Sequence, residues 1–304
     1  MSRRTPAALA VAALIAVPLL AGCGLKDDGK PQVVASFYPL QFVAQSIVGT
    51  HADVTDLTHP GAEPHELEPT VEQTALISRA DVAIYEPGLQ PGVDRVIENN
   101  APKHVVSVTD VVHISPAPPG LGDEHAGANG YDGDPHFWQD PTLLAKVADK
   151  FASTMEKADP ANATAYRANN TRLQGELAAL DTDFKDGLAT CKSRSLVVSH
   201  DAFEYLGRRY NLQIHPIAGL SPDAEPSLRH LQELSDLIRT DKITTVFNER
   251  LASPKLADAL ASDLHIGTAV LDPIEGLTSD DSDATYLTLM RENLKAIQKA
   301  DSCS

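Results

Sequence analysis

The chain has 304 residues, with 42 acidic and 25 basic side chains and a formal net charge of −17. The phosphates of nucleic acid would repel so acidic a protein, so we expect no nucleic-acid partner.

The N-terminus has the pattern of a bacterial lipoprotein signal. Two arginines precede an apolar run over residues 7–20, which is too short to span a bilayer comfortably. The run ends in Leu-Ala-Gly-Cys, which resembles a lipobox, and Cys23 would become the acylated first residue. We expect a signal peptide over 1–22, a polar tether over 23–31 and a lipid anchor on the extracytoplasmic face of the cell membrane. An ordinary signal peptide with a nearby cysteine is the alternative.

Short β-branched runs alternate with amphipathic stretches after the tether. Over residues 32–159 the predicted strands are VVAS, DVTDLT, DVAIYE and HVVSVT, and over residues 189–304 they are SLVVS, LQIHPIAG, ITTVFNE and TAVLD. Helical patterns separate them, which is typical of parallel sheets wrapped by helices. The sequence predicts an α/β fold with two Rossmann-like lobes, each a parallel sheet flanked by helices.

A long helical pattern lies between the two predicted lobes. Residues 160–188 contain no proline after the first position and carry apolar side chains at helical spacing, which are Tyr166, Leu173, Leu177, Leu180 and Phe184. We expect a single helix that joins the lobes as a rigid connector. A surface helix of one lobe is the alternative.

The stretch DPHFWQDP, residues 134–141, presents a histidine from a stiff loop. Asp140 followed by Pro141 is typical of a helix N-cap with proline in the first helical position. Pro135 restricts the backbone immediately before His136. The sequence therefore predicts that this imidazole has a fixed position just ahead of a helix.

Four side chains in comparable settings are candidate metal ligands. Each follows a predicted strand or lies in a loop before a helix, where open α/β sheets bind ligands, and the two lobes contribute two each: His65, His136, His200 and Asp272. Three imidazoles and one carboxylate form a shell suited to zinc and unlike those of calcium or magnesium. We expect a zinc site in the cleft between the lobes.

Two cysteines remain if Cys23 carries lipid. Disulfides persist in exported proteins, so we expect Cys191 to pair with Cys303 and tie the C-terminus to the start of the second lobe. Free thiols or metal ligands are the alternative.

The chain resembles the metal-binding lipoproteins of zinc and manganese ABC transporters, the cluster A-I or ZnuA/TroA-like solute-binding proteins. The resemblance covers nearly the whole chain after the tether and rests on PHELEPT, DPHFWQDP, VVSHDAFEYLGRRY, AEPS and VLDP. It implies two lobes joined by a long helix and metal binding by His65, His136, His200 and Asp272. It also implies that a monomer delivers Zn²⁺, or alternatively Mn²⁺, to an ABC permease with its ATPase.

One feature departs from the family, and other functions compete with zinc import. Zinc members often carry a histidine-rich loop before the second ligand, whereas residues 113–133 contain only His113 and His125 and predict no regular structure.

A metal-buffering or adhesin lipoprotein could use the same site. Haem or a ferric siderophore is disfavoured because three histidines leave little room for a bulky chelate.

An enzyme is a further alternative that the sequence disfavours. A zinc hydrolase of the HExxH type needs a second histidine where HELEP has Pro69. A catalytic zinc also keeps one coordination position open, which four protein ligands would fill. Ser199, His200 and Asp201 are adjacent and lack the G-x-S-x-G context of a nucleophilic triad. We therefore expect a binding protein.

Overall fold

The structure is a computed structural model that describes residues 29–100, 102–116, 133–279 and 283–303. The predicted signal peptide with Cys23 and most of the loop over 113–133 lie outside the described residues. Pro31–Ser304 forms one compact unit.

The first half of this unit folds as a parallel sheet with helices on its faces. Its described elements are β1 (Gln32–Ala35), α1 (Tyr38–Val48), β2 (Asp53–Asp56), α2 (Val71–Arg79), β3 (Val82–Tyr85), α3 (Pro91–Asn100), β4 (His104–Ser107) and α4 (Pro141–Ala158). The described strands pair in the order β2-β1-β3-β4, each parallel to its neighbour. The loops at their carboxyl ends therefore share one edge of the sheet.

The second half repeats this arrangement. Its described elements are β5 (Ser195–Val198), α6 (Glu204–Tyr210), β6 (Gln213–Pro216), α7 (Leu228–Asp241), β7 (Thr245–Asn248), α8 (Lys255–Leu264), β8 (Gly267–Val270) and α9 (Tyr286–Ala300). The described strands pair in the order β6-β5-β7-β8, again all parallel. The predicted α/β fold with two parallel sheets is confirmed.

The helix α5 (Ala163–Gly187) connects the two halves over 25 residues. It packs against α1 and α4 from the first half and against α9 from the second. The predicted apolar stripe is buried along one side of α5, so the prediction of a long connecting helix is confirmed. The largest hydrophobic cluster of the described residues contains side chains from both sheets and from α5.

The structure joins Cys191 and Cys303 in a disulfide. The two cysteines are 112 residues apart in sequence and hold the end of the chain beside the segment that precedes β5. Backbone hydrogen bonds from Lys192 and Ser193 to the Asp301 carbonyl run beside the disulfide. The C-terminal turn is thus fastened to the second half by covalent and hydrogen bonds together.

Candidate metal centre

Among the described residues, four side chains converge on one point as a group that could hold a metal ion: His65, His136, His200 and Glu275. Each offers one ligand atom, and these atoms all lie within 4.8 Å of one another. Two come from each half of the chain. The site is complete only because the carboxyl ends of both sheets meet.

One ligand atom, Glu275 Oε1, lies at a tetrahedral ligand spacing from the other three. Glu275 Oε1 lies 3.4 Å from His65 Nε2, 3.2 Å from His136 Nε2 and 3.2 Å from His200 Nε2. Zinc bonds of about 2.0 to 2.1 Å place neighbouring tetrahedral ligands about 3.3 Å apart. The carboxylate therefore lies where a fourth zinc ligand would be, with each Nε2 at the correct distance from it.

Asp134 and the following proline fix the position of His136. One carboxylate oxygen, Asp134 Oδ1, accepts hydrogen bonds from the His136 backbone N–H at 3.0 Å and from His136 Nδ1 at 2.8 Å. A 3₁₀ turn over Phe137–Gln139 follows, and Asp140 then caps α4 by accepting the Thr142 N–H at 2.8 Å. The predicted helix start is confirmed. The bond at Nδ1 directs the other ring nitrogen, Nε2 of His136, to the metal position.

Glu249 fixes His200 in the same way. His200 follows β5, and its Nδ1 lies 2.6 Å from Glu249 Oε1, at the end of β7. Ser199 donates a hydrogen bond to the same oxygen. Both imidazoles are fully buried, so a carboxylate at each Nδ1 fixes the tautomer and the ring orientation that metal binding needs.

His65 is the ligand nearest to solvent. Pro64 and the Glu63 carboxylate, which accepts the His65 backbone N–H at 3.2 Å, hold the turn that carries it. The His65 side chain is 11% exposed, whereas the other three are at most 3% exposed. A cavity of about 310 Å³ opens beside His65, between the first half and Ser221 of the second. Of the four ligand residues, only His65 lines this cavity.

The structure brings the three predicted histidines together but does not place Asp272 in the group. Asp272 Oδ1 accepts the Ile274 N–H at 2.8 Å, and its other oxygen lies 3.3 Å from Arg250 Nε. The predicted strand TAVLD ends at Val270, because the chain then turns at Asp272. Glu275, from the same loop, occupies the position that the resemblance assigned to Asp272.

Three carboxylates of this site are not among the residues predicted from sequence. Asp134 has a sequence signal, since it begins the stiff Asp-Pro-His segment. Glu249 directly follows β7, but Glu86 follows β3 in the same way and is not in the ligand group. Glu275 lies beyond the predicted strand, and the side chains that it meets are far away in sequence.

Burial and neighbouring charges shift the pKa values of three side chains in the site, which are His136, His200 and Glu275. Burial disfavours a charged His136, but hydrogen bonds with Asp134 and Glu275 outweigh it and raise the pKa of His136 to about 9. At His200 the charges of Glu249 and Glu275 likewise outweigh burial and hold its pKa well above the usual range. Burial also opposes ionisation of Glu275, yet the charges of His65 and His200 lower its pKa well below the usual range.

These pKa values predict that zinc displaces protons. The pKa of about 9 keeps His136 protonated at neutral pH, and zinc requires its free Nε2 lone pair. The apparent affinity should rise by about tenfold per pH unit for each displaced proton. Competition with a chelator of known pH dependence, at pH 6 and pH 8, measures this slope. Equal apparent dissociation constants at both pH values would contradict it.

The chain matches the family described as zinc-uptake complex component A, periplasmic, over residues 33–300. It is 33% identical over 300 residues to the zinc-binding lipoprotein AdcA of Streptococcus pneumoniae, an alignment that covers 96% of this chain and 60% of AdcA. It is 31% identical over 298 residues to the high-affinity zinc uptake system protein ZnuA of Bacillus subtilis, covering 92% of this chain and 93% of that protein.

Solved structures share the fold. The Zn(II)-bound ZnuA-like domain of S. pneumoniae AdcA superposes with a TM-score of 0.75 at 30% identity, over 90% of this chain and 99% of that domain. The laminin-binding protein Lmb of Streptococcus agalactiae superposes with a TM-score of 0.79 at 27% identity, over 89% of this chain and 99% of that one. Lmb is described as a bifunctional protein with adhesin and metal-transporting activity.

Proposed function

This chain belongs to the ZnuA family of zinc-uptake components, and from that premise we propose that it captures zinc between its lobes and delivers it to an ABC importer. The observation that carries the proposal is the convergence of His65, His136 and His200 on one oxygen of Glu275, at 3.2 to 3.4 Å. Glu275 takes the place of Asp272 in the proposed ligand set. Zinc is the cargo of this site.

The donor set supports zinc rather than manganese. Three imidazole nitrogens and one carboxylate suit zinc, whereas manganese prefers more oxygen donors and a higher coordination number. The two buried imidazoles already have their Nδ1 atoms occupied by Asp134 and Glu249, so their Nε2 atoms are oriented before the ion arrives. Little reorganisation is needed on binding, which supports an affinity well below micromolar.

The proposed partners are a membrane permease and its ATPase. The family is a transport component, so delivery through such an importer is the role that fits this chain, and catalysis is not part of the proposal. The chain spans 60% of the length of the S. pneumoniae relative. Functions of the rest of AdcA are therefore not part of the proposal. We propose that the protein acts as a monomer, because both lobes of one chain complete the site.

The lipid anchor at Cys23 is part of the proposal. In the part of the chain that the structure describes, no helix has the length and apolar character needed to cross a membrane. Anchoring would keep the protein close to its permease. We predict that Cys23→Ser moves the protein from the membrane fraction to the soluble fraction with its zinc affinity unchanged. Continued sedimentation of the variant with membranes would show that another anchor holds it.

Zinc uptake by cells tests the function. A strain lacking this gene should take up zinc slowly from chelated medium, and the wild-type gene should restore uptake. A gene with His136→Ala should not restore it, while His59→Ala, which changes an exposed histidine outside the site, should. Unchanged uptake in the deletion strain would favour metal buffering or adhesion over transport.

A further inference from the structure

The loop that carries Glu275 contains a strained backbone. Leu271 to Gly276 follow β8 and are all buried. Ile274 lies within this loop at φ 59°, in the left-handed region. A β-branched residue rarely adopts that conformation, because its side chain crowds the adjacent backbone. The surrounding structure must hold Ile274 there, immediately before the proposed ligand.

Asp272 holds Ile274 in this left-handed conformation. Its Oδ1 accepts the Ile274 N–H at 2.8 Å, which closes a short turn over Pro273. Asn293 of α9 fixes Asp272 itself, since Asn293 Oδ1 accepts the Asp272 N–H at 2.9 Å and Asn293 Nδ2 donates to the Asp272 carbonyl at 2.6 Å. The Asp272 side chain therefore has a defined orientation before the turn begins.

Contacts with the first half hold the same loop from the other side. The Pro273 carbonyl accepts hydrogen bonds from Trp138 Nε1 at 2.7 Å and Gln139 Nε2 at 2.5 Å. The Leu277 carbonyl accepts the Gly61 N–H at 2.7 Å. The chain is thus tied at Pro273 and at Leu277 to the half that supplies His65 and His136, and Glu275 lies between these two points.

We propose that Asp272 is a positioning residue, which holds Ile274 in its left-handed conformation and so places the Glu275 carboxylate among the three imidazoles. The inference rests on the proposed role of Glu275 as a ligand. It assigns to Asp272 a role through the backbone of the loop and none in the coordination of the metal.

Two substitutions at Asp272 separate these roles. Asp272→Asn keeps an Oδ1 acceptor for the Ile274 N–H and removes the negative charge, and Arg250 keeps its contact with Glu292 at 2.8 Å. Asp272→Ala removes the acceptor. We expect Asp272→Asn to bind zinc like wild type and Asp272→Ala to bind it about tenfold more weakly or worse, as when a group that orients a ligand is lost.

The visible spectrum of the Co²⁺-loaded protein is the readout that a general loss of stability would not change. Asp272→Ala and Glu275→Gln should each give a spectrum different from wild type, because each removes the carboxylate oxygen from the metal, and Asp272→Asn should give that of wild type. A spectrum of Asp272→Asn that matches Glu275→Gln would overturn the proposal, because the charge of Asp272 would then be needed at the metal. A wild-type affinity and spectrum for Asp272→Ala would also overturn it.

The same spectra distinguish a failure of this inference from a failure of the proposed function. If Glu275→Gln itself has the wild-type spectrum, then the ligand assignment fails. If Glu275→Gln changes the spectrum but Asp272→Ala does not, then only the positioning role fails. Should Asp272→Ala not fold, Asp272→Asn still tests the proposal, since a weaker zinc affinity or a changed spectrum in that variant would overturn it.

Discussion

Replacing His136 with alanine should weaken zinc binding by about 100- to 1000-fold, because four-ligand zinc sites are worth about 10–16 kcal/mol and one ligand about a quarter of that, roughly 2.5 to 4 kcal/mol. The variant also leaves the buried Asp134 carboxylate without the imidazole that it holds at 2.8 Å. The effect on zinc affinity should therefore be the largest of any single substitution considered for this site. Chelator competition at one pH and salt concentration measures it.

His59→Ala is the matched control for this variant. His59 is exposed, and it lies close in sequence to His65 but outside the ligand group. Its substitution should leave the zinc dissociation constant unchanged. Circular dichroism of both metal-free variants should match that of wild type, which would assign the loss in His136→Ala to the site. A folded His136→Ala protein with wild-type affinity would remove His136 from the shell.

Glu275→Gln should weaken zinc binding by about 100-fold, close to 2.7 kcal/mol. The loss is smaller than for His136→Ala because the amide oxygen still occupies the position, but it no longer carries the charge that balances zinc. Removing that charge also leaves the two buried imidazoles, His136 and His200, without the carboxylate that favours their protonated forms. The variant should therefore release fewer protons on binding zinc, which calorimetry in buffers of different ionisation enthalpy detects.

Glu98→Gln is the control for the charge itself. Glu98 lies exposed on α3, so this variant changes the net charge by the same amount without touching the site. Its affinity and proton release should equal those of wild type. If Glu275→Gln and Glu98→Gln give the same small loss, then general electrostatic attraction accounts for the effect and Glu275 is not a ligand.

Local patterns in the sequence were enough to predict most of the fold. The strands are short runs of β-branched residues between helices with a regular apolar stripe, so neighbouring residues alone determine them. The segments VVASFYPLQF and LVVSHDAFEY both read as a strand, a serine and then a helix start, and the strands that they contain, β1 and β5, occupy equivalent positions in sheets of the same order. The histidines were predictable because Pro64 and Pro135 stiffen the chain directly before His65 and His136.

The fourth ligand depends on a conformation that no local pattern indicates. Asp272 and Glu275 lie in one short loop, and either could face the cleft. Ile274 determines the outcome through its left-handed backbone, which is rare for a β-branched residue and is held by contacts from Asp272 and, across the lobes, from Trp138. Such contacts arise only when both halves have folded, so sequence reasoning favoured the residue nearer to the strand.

A crystal structure of the zinc-loaded protein, with an anomalous difference map recorded at the zinc absorption edge, tests the central claim most directly. We predict one peak per chain, bonded to Nε2 of His65, His136 and His200 and to a carboxylate oxygen of Glu275, at about 2.0 to 2.2 Å. A peak bonded to Asp272 in place of Glu275, or one outside the three histidines, would contradict it.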